Sequence, residues 1–80
     1  MFMNWKEEDG KLVKEFQFND FTEAVDFINQ ILPIAQEHNH HPDILLHSYR
    51  FVKVMIYTHD EKKITEKDHK LAKDVESLIE

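Results

Sequence analysis

Cysteine is absent from the 80 residues, which excludes disulfides, thiolate metal sites and a cysteine nucleophile. Glycine occurs once and proline twice, so neither a Gly-rich phosphate loop nor a Pro/Gly linker can be built. No apolar run approaches the roughly 18 residues that a bilayer-spanning helix needs. The opening MFMNWKEEDG lacks the basic segment and apolar core of a secretory signal. Basic residues are also scarce: ten Lys and Arg against sixteen Asp and Glu leave a net charge of −6. That sign is wrong for a surface that displaces phosphate counterions, so no nucleic-acid partner and no membrane partner are expected. What remains is a single domain over residues 1–80, with the cytoplasm as its default location. A chain this short buries only roughly 60–65% of its unfolded surface, so a homo-oligomer is expected.

Histidine is what the sequence has in excess. Five of the six lie in EHNHHPDILLHSYRFVKVMIYTH, between Glu37 and His59. Their placement depends on the elements around them. Asp9-Gly10, with strand-like runs on either side, is the strongest short hairpin signal, because both residues tolerate positive φ. It predicts a β-hairpin over approximately residues 3–18, with Leu12, Phe16 and Phe18 on one face. Asn19 or Asp20 then offers a helix N-cap, with Glu23 in the first turn. Phe21, Ala24, Val25, Phe27, Ile28, Ile31 and Leu32 follow at helical spacing. Pro33 should bend or end the regular part of this helix, whose pattern resumes to about His38. The terminal ITEKDHKLAKDVESLIE reads as a second amphipathic helix, capped by Thr65 with Asp68 at the third helical position. Leu71, Ala72, Val75, Leu78 and Ile79 form its stripe. The order ββαββα predicts an α+β fold: a four-stranded antiparallel sheet with two helices packed on one face.

Eighteen residues separate His41 from His59, about 60 Å if fully extended, so the chain must reverse between them. Alternation in RFVKVMIYTH puts Val52, Val54 and Ile56 on one face. A hairpin centred on Arg50 pairs Leu46 with Val54 and Ile44 with Ile56, and brings His41 opposite His59. The reversal falls in SYRF, which has no glycine or asparagine to favour it. His40, at the strand entry beside Pro42, can reach the same pocket. Three imidazoles thus converge, and paired histidines exchange protons at neutral pH without large tuning. Asp68 beside His59 would hold that ring's tautomer, or it serves as the acid of a Thr65–Asp68 capping box, or both. His38 and His69 read as solvated helix residues, and His47, opposite Lys53, as exposed or subunit-facing. HNHH with a distant His59 is a weak match to recognised metal-ligand spacings, so no metal is expected and a site of His40, His41 and His59 is only a rival reading. Ser48, in the proposed turn, has no nucleophile-elbow context.

On these residues the chain resembles the pterin-4a-carbinolamine dehydratase family, also called 4a-hydroxytetrahydrobiopterin dehydratases. The family signature joins a His-His-Pro triplet, an aromatic residue seven positions after the proline, a histidine ten further on, then an aspartate. His40-His41-Pro42, Tyr49, His59 in YTH and Asp68 in ITEKD match it. The likeness extends through FQFNDFTEAVDFIN and LAKDVESLI, and so from Trp5 to Ile79. The resemblance implies the four-stranded α+β fold, dimers that pair into tetramers, and a cofactor-free dehydratase. Its reaction would convert 4a-hydroxytetrahydropterin to quinonoid dihydropterin plus water, recycling the pterin of aromatic amino-acid hydroxylases. It implies His40, His59 and Asp68 as catalytic, and His41, Pro42, Gln36 and Asn39 as substrate-binding. His59, oriented by Asp68, and His40 would be the acid/base pair, while His41 positions the pterin. One animal branch also binds a homeodomain transcription factor, so a non-catalytic binding module of the same fold is the alternative. The sequence departs from the family at Gln36, where an acidic residue is usual, and at Lys62-Lys63-Ile64-Thr65, which lacks a common glycine. Many members also carry an additional N-terminal helix, and none is expected from the opening MFMNWKEEDG.

Overall fold

The computed structural model describes residues 5–79. Asp9 and Gly10 both take positive φ, 51° and 75°, as a two-residue hairpin turn requires. They join β1, Lys6–Glu8, to β2, Lys11–Gln17, with Glu8 opposite Lys11. Residues 3 and 4 of the expected hairpin lie outside the described residues. Trp5, just before β1, meets Phe16 edge-on with ring centroids 6.0 Å apart.

Helix α1 runs Phe21–His38. Asp20 Oδ1 accepts the Glu23 N–H at 2.9 Å, and Glu23 Oε1 accepts the Asn19 N–H at 3.0 Å. The first bond satisfies one of the donors left over at a helix start, and the second ties down the residue before the cap. The helix continues through Pro33 rather than stopping there. The carbonyl deprived of its donor is that of Asn29, an exposed residue where water can serve it. The buried row is narrower than the periodicity suggested. Ala24, Phe27, Ile31 and Ala35 face the core, whereas Phe21 and Leu32 are 55% and 61% exposed.

Strands β3, Asp43–His47, and β4, Phe51–Ile56, complete an antiparallel sheet of order β1-β2-β4-β3. The β3–β4 register differs from the expected one. Leu46 faces Val52, Ile44 faces Val54 and His47 faces Phe51. The chain reverses around Tyr49 because Ser48 and Tyr49 both adopt left-handed φ, 50° and 56°. This shifts the pairing by two residues, which preserves the face of every side chain. Helix α2, Glu66–Glu76, and a 3-10 turn at Ser77–Ile79 close the chain.

Both helices pack on one sheet face. Leu12, Phe16, Val52, Val54 and Ile56 meet Ala24, Phe27 and Ile31 of α1, and Leu71, Ala72 and Val75 of α2. Each large side chain so buried contributes roughly 1.5–3 kcal/mol. Lys14 Nζ reaches Glu76 Oε1 at 2.6 Å, tying β2 to α2 at the margin of this core.

Candidate active site

The site forms where the end of α1, the exit of β4 and the start of α2 meet. Asn39 closes α1 in the left-handed region, φ 52°, which asparagine tolerates better than most residues. The Asn39 N–H donates to the Gln36 carbonyl and the His40 N–H to the Ala35 carbonyl, both at 3.1 Å. This cap folds the chain back so that His40 returns toward α2. Beyond β4, the Thr58 N–H donates to the Lys63 carbonyl at 3.0 Å, and the Lys62 N–H donates to the Thr58 carbonyl at 2.7 Å. That small loop holds Thr58 inside, only 7% exposed, and leaves His59 outside.

Asp68 is fully buried, and each of its oxygens has separate work. Oδ1 lies 2.6 Å from His40 Nε2. Oδ2 accepts the Thr65 backbone N–H at 2.7 Å and the Thr58 hydroxyl at 2.9 Å. Burial alone would push the carboxyl's pKa up. The hydrogen bonds from His40, the Thr65 N–H and Thr58, with the charge of His40, outweigh it and hold the pKa below the ordinary carboxylate value. Asp68 is therefore ionised at neutral pH and offers acceptors only. His40 Nε2 must carry the hydrogen between them, so a neutral His40 keeps its lone pair on Nδ1.

A polar cleft of about 320 Å³ opens beside this pair, lined by Asn39, His40, His41, Thr58, His59, Asp60 and Lys67. His41 Nε2 lies 2.7 Å from Gln36 Oε1, and the amide oxygen accepts there. His59 stacks on Tyr57, centroids 4.2 Å apart and planes 9° from parallel. A depression of about 350 Å³ at Lys6, Glu8, Val13, Lys14, Glu15 and Lys53 is slightly larger but contains no histidine. Proton chemistry points to the smaller one. Among the described residues, no three His, Cys, Asp or Glu side chains are grouped as a metal site requires.

His40, His41 and His59 thus share one cleft, though by a different route from that expected. His41 and His59 are not cross-strand partners, because the β3–β4 ladder begins at Asp43, opposite Met55. Asp68 holds His40 rather than His59: the partners of its carboxylate are His40, Thr58 and Thr65. It also caps α2, as the capping-box reading expects, so one side chain both closes the helix and holds a histidine, though His40 and not His59. Asn39 lines the cleft, whereas Gln36 and Pro42 do not, and Gln36 reaches it through His41. His38 is bound to Asp74 at 2.6 Å instead of being merely solvated, and His47 to Glu15 at 2.8 Å. Thr58, Asp60 and Lys67 are lining residues that sequence reasoning missed. Thr58 carried a signal, since it continues the inward row of Val52, Val54 and Ile56.

Fold and site together define a small α+β domain with a histidine-lined cleft beside a buried aspartate. The family model for pterin 4 alpha carbinolamine dehydratase matches residues 2–78, and the chain belongs to that family. Among its relatives is a provisionally named pterin-4-alpha-carbinolamine dehydratase of Metallosphaera sedula, 44% identical, covering 94% of this chain and 77% of that one. Another with the same provisional name, from Sulfolobus acidocaldarius, is 43% identical over 92% of this chain and 80% of its own. A transcriptional coactivator/pterin dehydratase from Brucella melitensis superposes with a TM-score of 0.83 at 32% identity, covering 91% of this chain and 79% of that one. A pterin dehydratase-like RuBisCO assembly factor of the alpha-carboxysome shares the fold, with a TM-score of 0.77 at 20% identity. It is matched over 95% of this chain and 89% of its own.

Proposed function

We propose that the protein dehydrates 4a-hydroxytetrahydropterin to quinonoid dihydropterin and water, without a cofactor, in the recycling of a tetrahydropterin. The observation that carries this reading is one cleft holding His40, His41 and His59, with His40 bound to a buried, ionised aspartate. In the reaction the C4a–O bond breaks, the N5–H bond breaks and a C4a–N5 double bond forms. A base must take the N5 proton and an acid must protonate the departing hydroxyl. His40 suits the first role: its Nδ1 is the accepting atom, and the Asp68 carboxylate stabilises the imidazolium that results. His59, exposed across the same cleft, suits the second. His41, held by Gln36, and Asn39 would orient the bicyclic ring. Gln36 occupies a position where the family usually has an acid, and it acts here through His41 rather than as a proton acceptor. The two catalytic protons balance, so solvent need only return each histidine to its starting state.

A stopped-flow assay of carbinolamine dehydration tests this reading, with His40→Ala beside the unaltered protein. Acceleration by the unaltered protein that is lost in the variant is expected. Equal rates with and without protein would leave the second reading, a binding module of the same fold. That alternative is favoured by the exposed apolar residues Phe21 and Leu32 on α1. The name of one similar structure joins a coactivator to a pterin dehydratase, which leaves room for that alternative.

A further inference from the structure

The distances around Asp68 favour one arrangement of hydrogens, since Thr58 Oγ1 lies 2.9 Å from Oδ2 and Thr65 Oγ1 3.4 Å. An ionised carboxylate donates nothing, so the Thr58 hydroxyl, the nearer of the two at 2.9 Å from Oδ2, spends its one hydrogen there. Thr58 Oγ1 also lies 2.7 Å from Thr65 Oγ1. Having given up its hydrogen, it can only accept at that contact, so the Thr65 hydroxyl donates to Thr58. The chain of donation runs Thr65 to Thr58 to Asp68 Oδ2, while His40 Nε2 donates to Oδ1 from the other side. Thr58 is 7% exposed and Asp68 is fully buried, so bulk water has little access to replace a lost donor.

We infer that Thr58 is a positioning residue for His40: its hydroxyl locks the Asp68 carboxylate with Oδ1 toward the imidazole, so that Nδ1 is presented to the substrate. Valine would keep the shape of Thr58 but leave Oδ2 with the Thr65 N–H as its one close donor. The Thr65 hydroxyl, 3.4 Å from Oδ2, would then be drawn to it, and the carboxylate would turn. A turned carboxylate no longer dictates which ring nitrogen of His40 holds the hydrogen. The kinetic consequence rests on the function proposed above, but the tautomer does not.

The test is side-chain ¹⁵N NMR of His40 at neutral pH together with dehydration kinetics, for the unaltered protein, Thr58→Val, Thr58→Ala and Thr58→Ser. The unaltered protein should show a protonated Nε2 and a bare Nδ1. Valine, or alanine if valine does not fold, should mix the two tautomers and lower kcat about tenfold, within what proton transfer supplies. KM should move less than about twofold, since the lost interaction acts in the chemical step. Serine should restore both readouts. An Nδ1–H tautomer in the unaltered protein would overturn the inference. So would a hydroxyl-free variant with an unchanged tautomer, even one of lowered Tm. If the tautomer responds but the unaltered protein dehydrates nothing, the positioning stands and the proposed function falls.

Discussion

Two histidine–carboxylate pairs of almost the same length lie on opposite faces of the sheet. His40 and Asp68 are 2.6 Å apart on the helix-covered side, and His47 and Glu15 are 2.8 Å apart on the uncovered side. Their surroundings differ far more than their distances. The side chains of His40 and Asp68 are 11% and 0% exposed, and those of His47 and Glu15 are 38% and 43% exposed. Asp68 also receives two further donors, whereas Glu15 lies open to solvent. A charge pair in water is screened and costs side-chain entropy to hold, and it typically contributes under about 1 kcal/mol. A buried one has a fixed geometry and a fixed order of protons. Burial and the additional donors, rather than the contact itself, distinguish a site from a surface pair.

The largest effect should come from removing the His40 imidazole. His40→Ala is expected to lower dehydration turnover at least about tenfold, and His59→Ala likewise, with the fold retained by circular dichroism. Wild-type turnover in both would remove the chemical distinction between the two faces. Asp68→Asn should reduce turnover less than His40→Ala, since the ring survives. It should also cost about 1–3 kcal/mol of stability in urea, because a buried acceptor set is altered. A pH titration sharpens this. The folded-state pKa of Asp68 is lowered, so its contribution is fully present above the ordinary carboxylate pKa of about 3.9. It is lost as pH falls through the lowered value. The unaltered protein should therefore lose more stability than Asp68→Asn in that acid range. Parallel acid curves would show that the carboxylate's charge contributes nothing to the fold.

What could be read from the sequence follows the range of the interactions involved. The Asp9-Gly10 turn, the Asp20 cap and the Thr65–Asp68 cap are local, and their residue types announce them. The inward faces of Leu12, Phe16, Val52, Val54 and Ile56 follow from alternation alone. The β3–β4 register did not, because serine and tyrosine at 48 and 49 adopt a left-handed turn that their chemistry does not advertise. A two-residue displacement leaves the faces intact, which is why the histidine cleft survived a wrong register. The partner of Asp68 depends on how the end of α1 approaches the start of α2, and no spacing within the chain encodes that approach. Read from the sequence, Asp68 pairs with His59, and packing gives it His40 instead.

Between the two extremes lies His38–Asp74, 2.6 Å long, which joins the last turn of α1 to α2 with side chains 21% and 49% exposed. If burial sets the worth of such pairs, this one should rank in the middle. Asp74→Asn should lower stability by roughly 0.2–1 kcal/mol and leave turnover unchanged. The smallest effect should come from the open face. Glu15→Gln or His47→Ala should change stability by no more than about 0.5 kcal/mol and activity not at all. Glu15 on β2 and His47 on β3 reach each other across β4, and a double-mutant cycle isolates their coupling from whatever each does alone. A coupling above about 1 kcal/mol would mean that the uncovered face is drier than its exposure suggests, as it would be if a partner covered it.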